Sequence, residues 1–265
     1  MKITKVLIPQ EKLNILSENE RVFFIQMGTL LNEVNILHKL IIFSTKEVMN
    51  ETERKAQNSQ VLFLLRILAL KLNEGWDLIN KGFYNSQISK DYYKRLDETG
   101  KNNLNKLKRY FRKENLIERV RNRFAAHYDQ EEIKKQIQEI QKKLNCEVFE
   151  IFVSEEHANC LYYMSEIILT SAISESADIL DIHKTIDQLY SDVMQIAKCF
   201  LDFLGDCMGI IARKYPVFHT EEIEIPEPPV YDEIAIPYFV RKERIKTGFR
   251  GFLSWLGRLW SRVRK

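Results

Sequence analysis

Apolar residues recur at three- and four-residue steps along most of the chain, the spacing of one face of a helix rather than the alternation of a strand. Phe23, Met27, Leu30, Leu31, Val34, Leu37, Ile41 and Val48 predict a long helix over residues 18–49. Leu62, Leu65, Leu68, Leu72, Trp76 and Ile79 predict a second over about 58–81. Gly82 and the polar stretch through Gly100 read as a connection, and a basic helix follows over 102–112. Leu116 to Tyr128 is patterned as a further helix. Asp129, with Glu132 three residues on, resembles a capping box and predicts a restart that runs to Leu144. Residues 147–153 alternate weakly, as a short strand would. Helices are also predicted over 158–173, behind a Ser154 cap, and over 182–214, ended by Pro216.

Two antiparallel helices as long as the first pair make half of a bundle. The expected fold class is therefore all-α. Scarce punctuation agrees with this, since the 265 residues hold only nine glycines and six prolines. Four of those prolines fall between Pro226 and Pro237, among Glu221, Glu222, Glu224, Glu227, Asp232 and Glu233. That segment reads as an extended acidic linker or a strap along the body. The expected division is an N-terminal extension (1–17), a helical domain (18–215), an acidic Pro-rich linker (216–240) and a basic tail helix (241–265).

Charge sharpens this division. Residues 241–265 carry nine Lys/Arg and one Glu, whereas residues 1–240 hold 31 basic and 36 acidic side chains. A strongly basic body built to coat nucleic acid is thereby excluded. In the tail, Phe249, Phe252, Leu253, Leu256, Leu259, Trp260 and Val263 fall on one arc of about 120° at the helical period, with arginines opposite. Such a helix can dock on protein, lie on an anionic membrane or contact RNA phosphates. No run approaches the ~20 apolar residues of a spanning helix. Met1 to Lys5 lacks a signal peptide's apolar stretch. The expected location is the cytoplasm, with peripheral membrane contact through the tail as an alternative. Cys146, Cys160, Cys199 and Cys207 show no metal or disulfide spacing, so reduced thiols and no metal or other cofactor are expected. No phosphate-cradling glycine loop, His-Glu-x-x-His or nucleophile elbow occurs.

Chemistry concentrates between Arg121 and Asp129. On a helix, Leu116, Ile117, Val120 and Phe124 form an apolar stripe, with His127 at its edge and Arg121 and Arg123 on either side. Imidazole titrates near neutrality and can move protons. Guanidinium grips phosphate oxygens with forked donors and stabilises developing negative charge. The segment Arg121-Asn122-Arg123-Phe124-Ala125-Ala126-His127 resembles the signature of the HEPN superfamily, an Arg followed by a polar residue and by His after four to six positions. Arg213 and His219 match the same spacing, but Pro216 interrupts them and Lys214, not Asn or Asp, follows the Arg. The first match is favoured by its Asn, by small Ala125 and Ala126 before His, and by the acidic cap after it.

The resemblance implies a HEPN-like antiparallel helical bundle, with the linker and tail as additions. It also implies a metal-independent endoribonuclease of phage defence (abortive infection) or a toxin, leaving a 2′,3′-cyclic phosphate. Arg121, Asn122 and His127 would be catalytic, and Arg123 and Tyr128 would contact substrate. RNA, a second copy of the chain, and an antitoxin or activator are the implied partners. In antitoxin-regulated relatives a Tyr stands two residues after the His, whereas Tyr128 follows His127 directly, so that form of regulation is not expected. An ideal helix points Arg121 and His127 about 120° apart but Arg123 and His127 about 40° apart. Straight-helix geometry thus favours Arg123 as the partner of His127, and the resemblance favours Arg121. Glu74 and Asp77 on the second helix are candidates for an orienting acid. The competing function is a non-catalytic helical interaction protein, membrane-associated through residues 241–265.

Overall fold

The computed structural model describes residues 1–84, 87–122, 130–143, 149–176, 182–214 and 219–240. Among these the protein is mostly helical, with one two-stranded antiparallel sheet. The helices are α1 (Glu18–Phe43), α2 (Glu51–Leu78), α3 (Gln87–Tyr93), α4 (Glu98–Phe111), α5 (Leu116–Val120), α6 (Gln130–Lys143), α7 (Tyr163–Ser176) and α8 (Ile182–Lys214). The strands are β1 (Lys2–Leu7) and β2 (His219–Glu224). None of the described helices is long and apolar enough to cross a membrane.

Caps set where the helices begin. Ser17 accepts from the Glu20 N–H and Glu20 returns the bond to Ser17, a complete capping box. Asn50, Asp97 and Asn115 each accept from the backbone N–H three residues on and so start α2, α4 and α5. Helix α8 packs against α1, α2, α4, α5 and α7, and the core lies around it. Phe23, Met27 and Val34 of α1, Leu65, Leu68 and Leu72 of α2, and Val193, Phe200, Phe203 and Leu204 of α8 are all buried. Burying each such side chain stabilises the fold by roughly 1.5–3 kcal/mol. Gly75 lets α1, α2 and α8 converge, because a Cβ there would lie 2.6 Å from Leu30 Cδ2 and 3.1 Å from Phe200 Cε1. That contact offsets the ~1 kcal/mol that glycine loses to alanine within a helix.

The boundaries depart from the periodic pattern in several places, among them α4, which begins at Glu98 rather than 102, and α7, which begins at Tyr163 rather than 158. Helix α1 stops at Phe43, and Asn50 then caps α2. The first two turns of α2 therefore carry polar residues that apolar periodicity does not mark. The connection after Gly82 contains α3, whose Ile88 and Tyr92 are buried. The chain start and the acidic segment are joined in a sheet, with Lys2 opposite Glu224 and Leu7 opposite His219. Further on, the Ile236 N–H donates to Phe43 O, the Tyr238 hydroxyl donates to Cys160 O, and Val240 exchanges two hydrogen bonds with Asn159. The weak alternation near residue 150 gives a single bridge, Phe152 to Leu161.

One carboxyl in this frame opposes ionisation. Asp206 of α8 sits against Gly100, and its Oδ2 is buried without a hydrogen bond among the described residues. Burial, then the nearby Asp97 carboxylate, pushes its pKa up from the ordinary value. A raised carboxyl pKa favours folding below the unfolded pKa of about 4, and that contribution is lost as pH rises through the folded pKa. Asp206→Asn is therefore expected to raise the thermal midpoint at pH 7. The gain should vanish near pH 3, as read by calorimetry at the two pH values.

Candidate functional site

The site is built outward from α5. Asn115, itself buried, accepts from the Glu118 N–H at 2.9 Å and donates to Lys113 O at 3.0 Å, which fixes the turn between α4 and α5. Leu116, Ile117 and Val120 are buried, and α5 packs on α2, α7 and α8. The apolar stripe marked in the sequence is thus the anchor of this short helix, as far as Val120. Beyond it, Arg121 and Asn122 enter a wider π-type turn. Such turns re-aim side chains and are frequent at functional positions.

Arg121 is half-buried, Asn122 is exposed, and Arg121 Nη1 donates to Asn122 Oδ1 at 2.7 Å. A guanidinium has five N–H donors, so this bond steadies its plane and leaves several donors for an anion. No carboxylate among the described residues pairs with Arg121. A positive fork held in plane by an amide can grip a phosphate.

Of the residues singled out in the sequence, the structure brings Arg121 and Asn122 together. Arg123, His127 and Tyr128 lie outside the described residues, as does the tail from residue 241. Glu74 pairs with Lys71 at 3.0 Å, and Lys71 also reaches Glu33 of α1 at 3.3 Å. The bond to Glu74 is the main cause that pushes the Lys71 pKa up. Asp77 is exposed on the same helix. Among the described residues, no hydrogen bond or ion pair joins Glu74 or Asp77 to Arg121. In the second motif match, Arg213 lies in the last turn of α8 and His219 opens β2.

A cleft of about 360 Å³ lies on the Arg119 side of α5, lined by Arg109, Tyr110, Lys113, Arg119, Gln188 and Asp192 among others. The Tyr110 hydroxyl donates to Asp192 Oδ2 at 3.0 Å, and Gln188 Nε2 donates to Asp192 Oδ1 at 2.6 Å. Burial, and then the Asp192 charge, push the Tyr110 pKa far up, so this phenol keeps its proton and holds Asp192 in place. Sequence reasoning did not find this cleft, because its walls come from residues 109–119 and 188–192. The available signal was the run of cations around Arg109, which the helical reading absorbed as a basic face. The chain matches no family model, no curated protein and no solved structure.

Proposed function

We propose that the protein is a metal-independent endoribonuclease of the HEPN type. The observation that carries this reading is the Arg121–Asn122 pair, hydrogen-bonded at the end of a helix anchored by buried Leu116, Ile117 and Val120, in a segment whose next histidine is His127. The ribose 2′-oxygen attacks the adjacent phosphorus while the P–O5′ bond breaks. His127 takes the 2′ proton or supplies one to the departing 5′-oxygen. Arg121 stabilises the charge that builds on the phosphorane oxygens, Asn122 holds Arg121 in plane, and Arg123 and Tyr128 contact the strand. The products are a 2′,3′-cyclic phosphate and a 5′-hydroxyl. The same resemblance supports a HEPN-like bundle, a homodimer acting in the cytoplasm, control by an antitoxin or activator, and a role in phage defence or growth arrest.

The test is incubation of the purified chain with single-stranded RNA in EDTA, followed by end-group analysis. Fragments ending in 2′,3′-cyclic phosphate are expected, and an oligonucleotide with a 2′-deoxy sugar at the cleaved position should stay intact. Products with 5′-phosphate ends, or cleavage of the deoxy substrate, would contradict the reading.

A further inference from the structure

Cations are crowded on one part of an otherwise acidic body. Residues 106–121 carry seven Lys/Arg against two Glu, while residues 1–240 as a whole are net negative. Lys106, Lys108, Arg109, Arg112 and Lys113 are exposed, and none forms an ion pair among the described residues. Several lysines elsewhere are matched, as in Lys5–Glu221, Lys55–Glu150, Lys198–Asp202 and Lys214–Glu20. Favourable interaction with the helix dipole accounts only for the last turn of α4, Lys108 and Arg109. Lys108 is in any case engaged over the Tyr84 ring, 5.3 Å from its centroid.

Arg109 and Lys113 stand four residues apart and both border the cleft, which Arg119 lines from α5. The volume of the cleft falls within the roughly 300–1,000 Å³ of small-ligand sites. Its lining includes the Tyr110–Asp192–Gln188 network, in which two donors satisfy the Asp192 carboxylate, and the exposed Glu114 beside Lys113. Arg119 and Arg121 leave α5 about 160° apart at 100° per residue, so they flank the buried stripe on opposite sides. A ligand touching both must cross the exposed face of a helix about 10 Å wide. A single phosphate group is too small for this, whereas a strand with successive phosphates is not.

We infer that the cleft between α4, α5 and α8 is a binding groove for the sugar–phosphate chain of single-stranded RNA, held by Arg109, Lys113 and Arg119, next along the strand to the phosphodiester gripped by Arg121. The inference rests on the ribonuclease reading for the choice of RNA. The groove itself rests on the cleft and on Arg109 and Lys113, which form no ion pair among the described residues. On a net-acidic body, such a positive face also steers a polyanion towards it.

The full-length His127→Ala protein allows binding to be measured by fluorescence anisotropy on a labelled 12-nucleotide RNA. Adding Arg109→Glu with Lys113→Glu should weaken binding at least about tenfold and flatten the slope of log K against log salt by about 1.4, the value for two single-strand phosphate contacts. Lys39→Glu on α1, a single exposed charge reversal on another helix and half the charge change, should shift log K and the slope by less than about a quarter as much. In an otherwise wild-type background, the groove variant should raise KM on the long RNA by a clearly larger factor than KM on a dinucleotide. Equal binding by groove variant and parent overturns the proposal, as does an equal loss with Lys39→Glu. Lost binding to phosphatidylglycerol vesicles with unchanged RNA binding would assign the groove to lipid headgroups instead. Cleavage by the wild type with no groove effect would remove the groove and leave the ribonuclease standing. A groove effect on binding without any cleavage would remove the ribonuclease and leave an RNA-binding face.

Discussion

His127→Ala is expected to cleave single-stranded RNA at least about 100-fold more slowly than the wild type, with little change in substrate affinity. A positioned acid or base contributes roughly 10²–10⁴-fold, and no other imidazole is available within the motif segment to replace it. The loss should fall on kcat, because the imidazole moves protons that are in flight only in the transition state. His127→Gln, which keeps a hydrogen-bonding side chain but cannot shuttle a proton, should be as slow as the alanine variant. An unchanged rate in either protein, with thermal unfolding like the wild type, would remove His127 from the chemistry.

Arg121→Ala is expected to lower kcat about 10²–10³-fold, the effect of deleting one preorganised donor aimed at a developing oxyanion. Arg121→Lys should recover only part of this, because an ammonium keeps the charge but not the planar fork. Asn122→Ala should cost less, about tenfold, since it frees the guanidinium that Asn122 Oδ1 holds at 2.7 Å without removing it. The geometric choice left open by the helical wheel is settled by the parallel Arg123→Ala protein. If its rate falls further than that of Arg121→Ala, Arg123 is the partner of His127. Initial rates in EDTA on one fluorescent oligonucleotide serve all four proteins.

The parts of the fold that were legible in the sequence are those where burial follows the helical period. Helix α8 is long, its apolar face turns without interruption, and Pro216 stands just past its last residue, so its range is read correctly. Leu116, Ile117 and Val120 likewise show their burial in their spacing. The β1–β2 pairing is illegible for the opposite reason. Nearly all of its residues are exposed, so neither strand alternates, and more than 200 residues separate the partners. The opening of α2 is hidden because Glu51 to Asn58 are polar except for the small, buried Ala56, and Asn50 is a stronger sign there than any apolar residue. At the site, adjacency in the chain made the Arg121–Asn122 contact readable. The groove is built by α4 and α8 meeting in space, through contacts such as Tyr110 to Asp192, and no local pattern announces it.

The central claim is that a guanidinium at Arg121 and an imidazole at His127 act together on one phosphodiester. A double-mutant cycle on kcat/KM, using wild type, Arg121→Ala, His127→Ala and the double variant in EDTA, tests it most directly. Residues that work as a unit are grossly non-additive, so the double variant should be hardly slower than the slower single variant. Independent losses that multiply in the double variant, or a wild-type protein that leaves RNA uncleaved, would contradict the account.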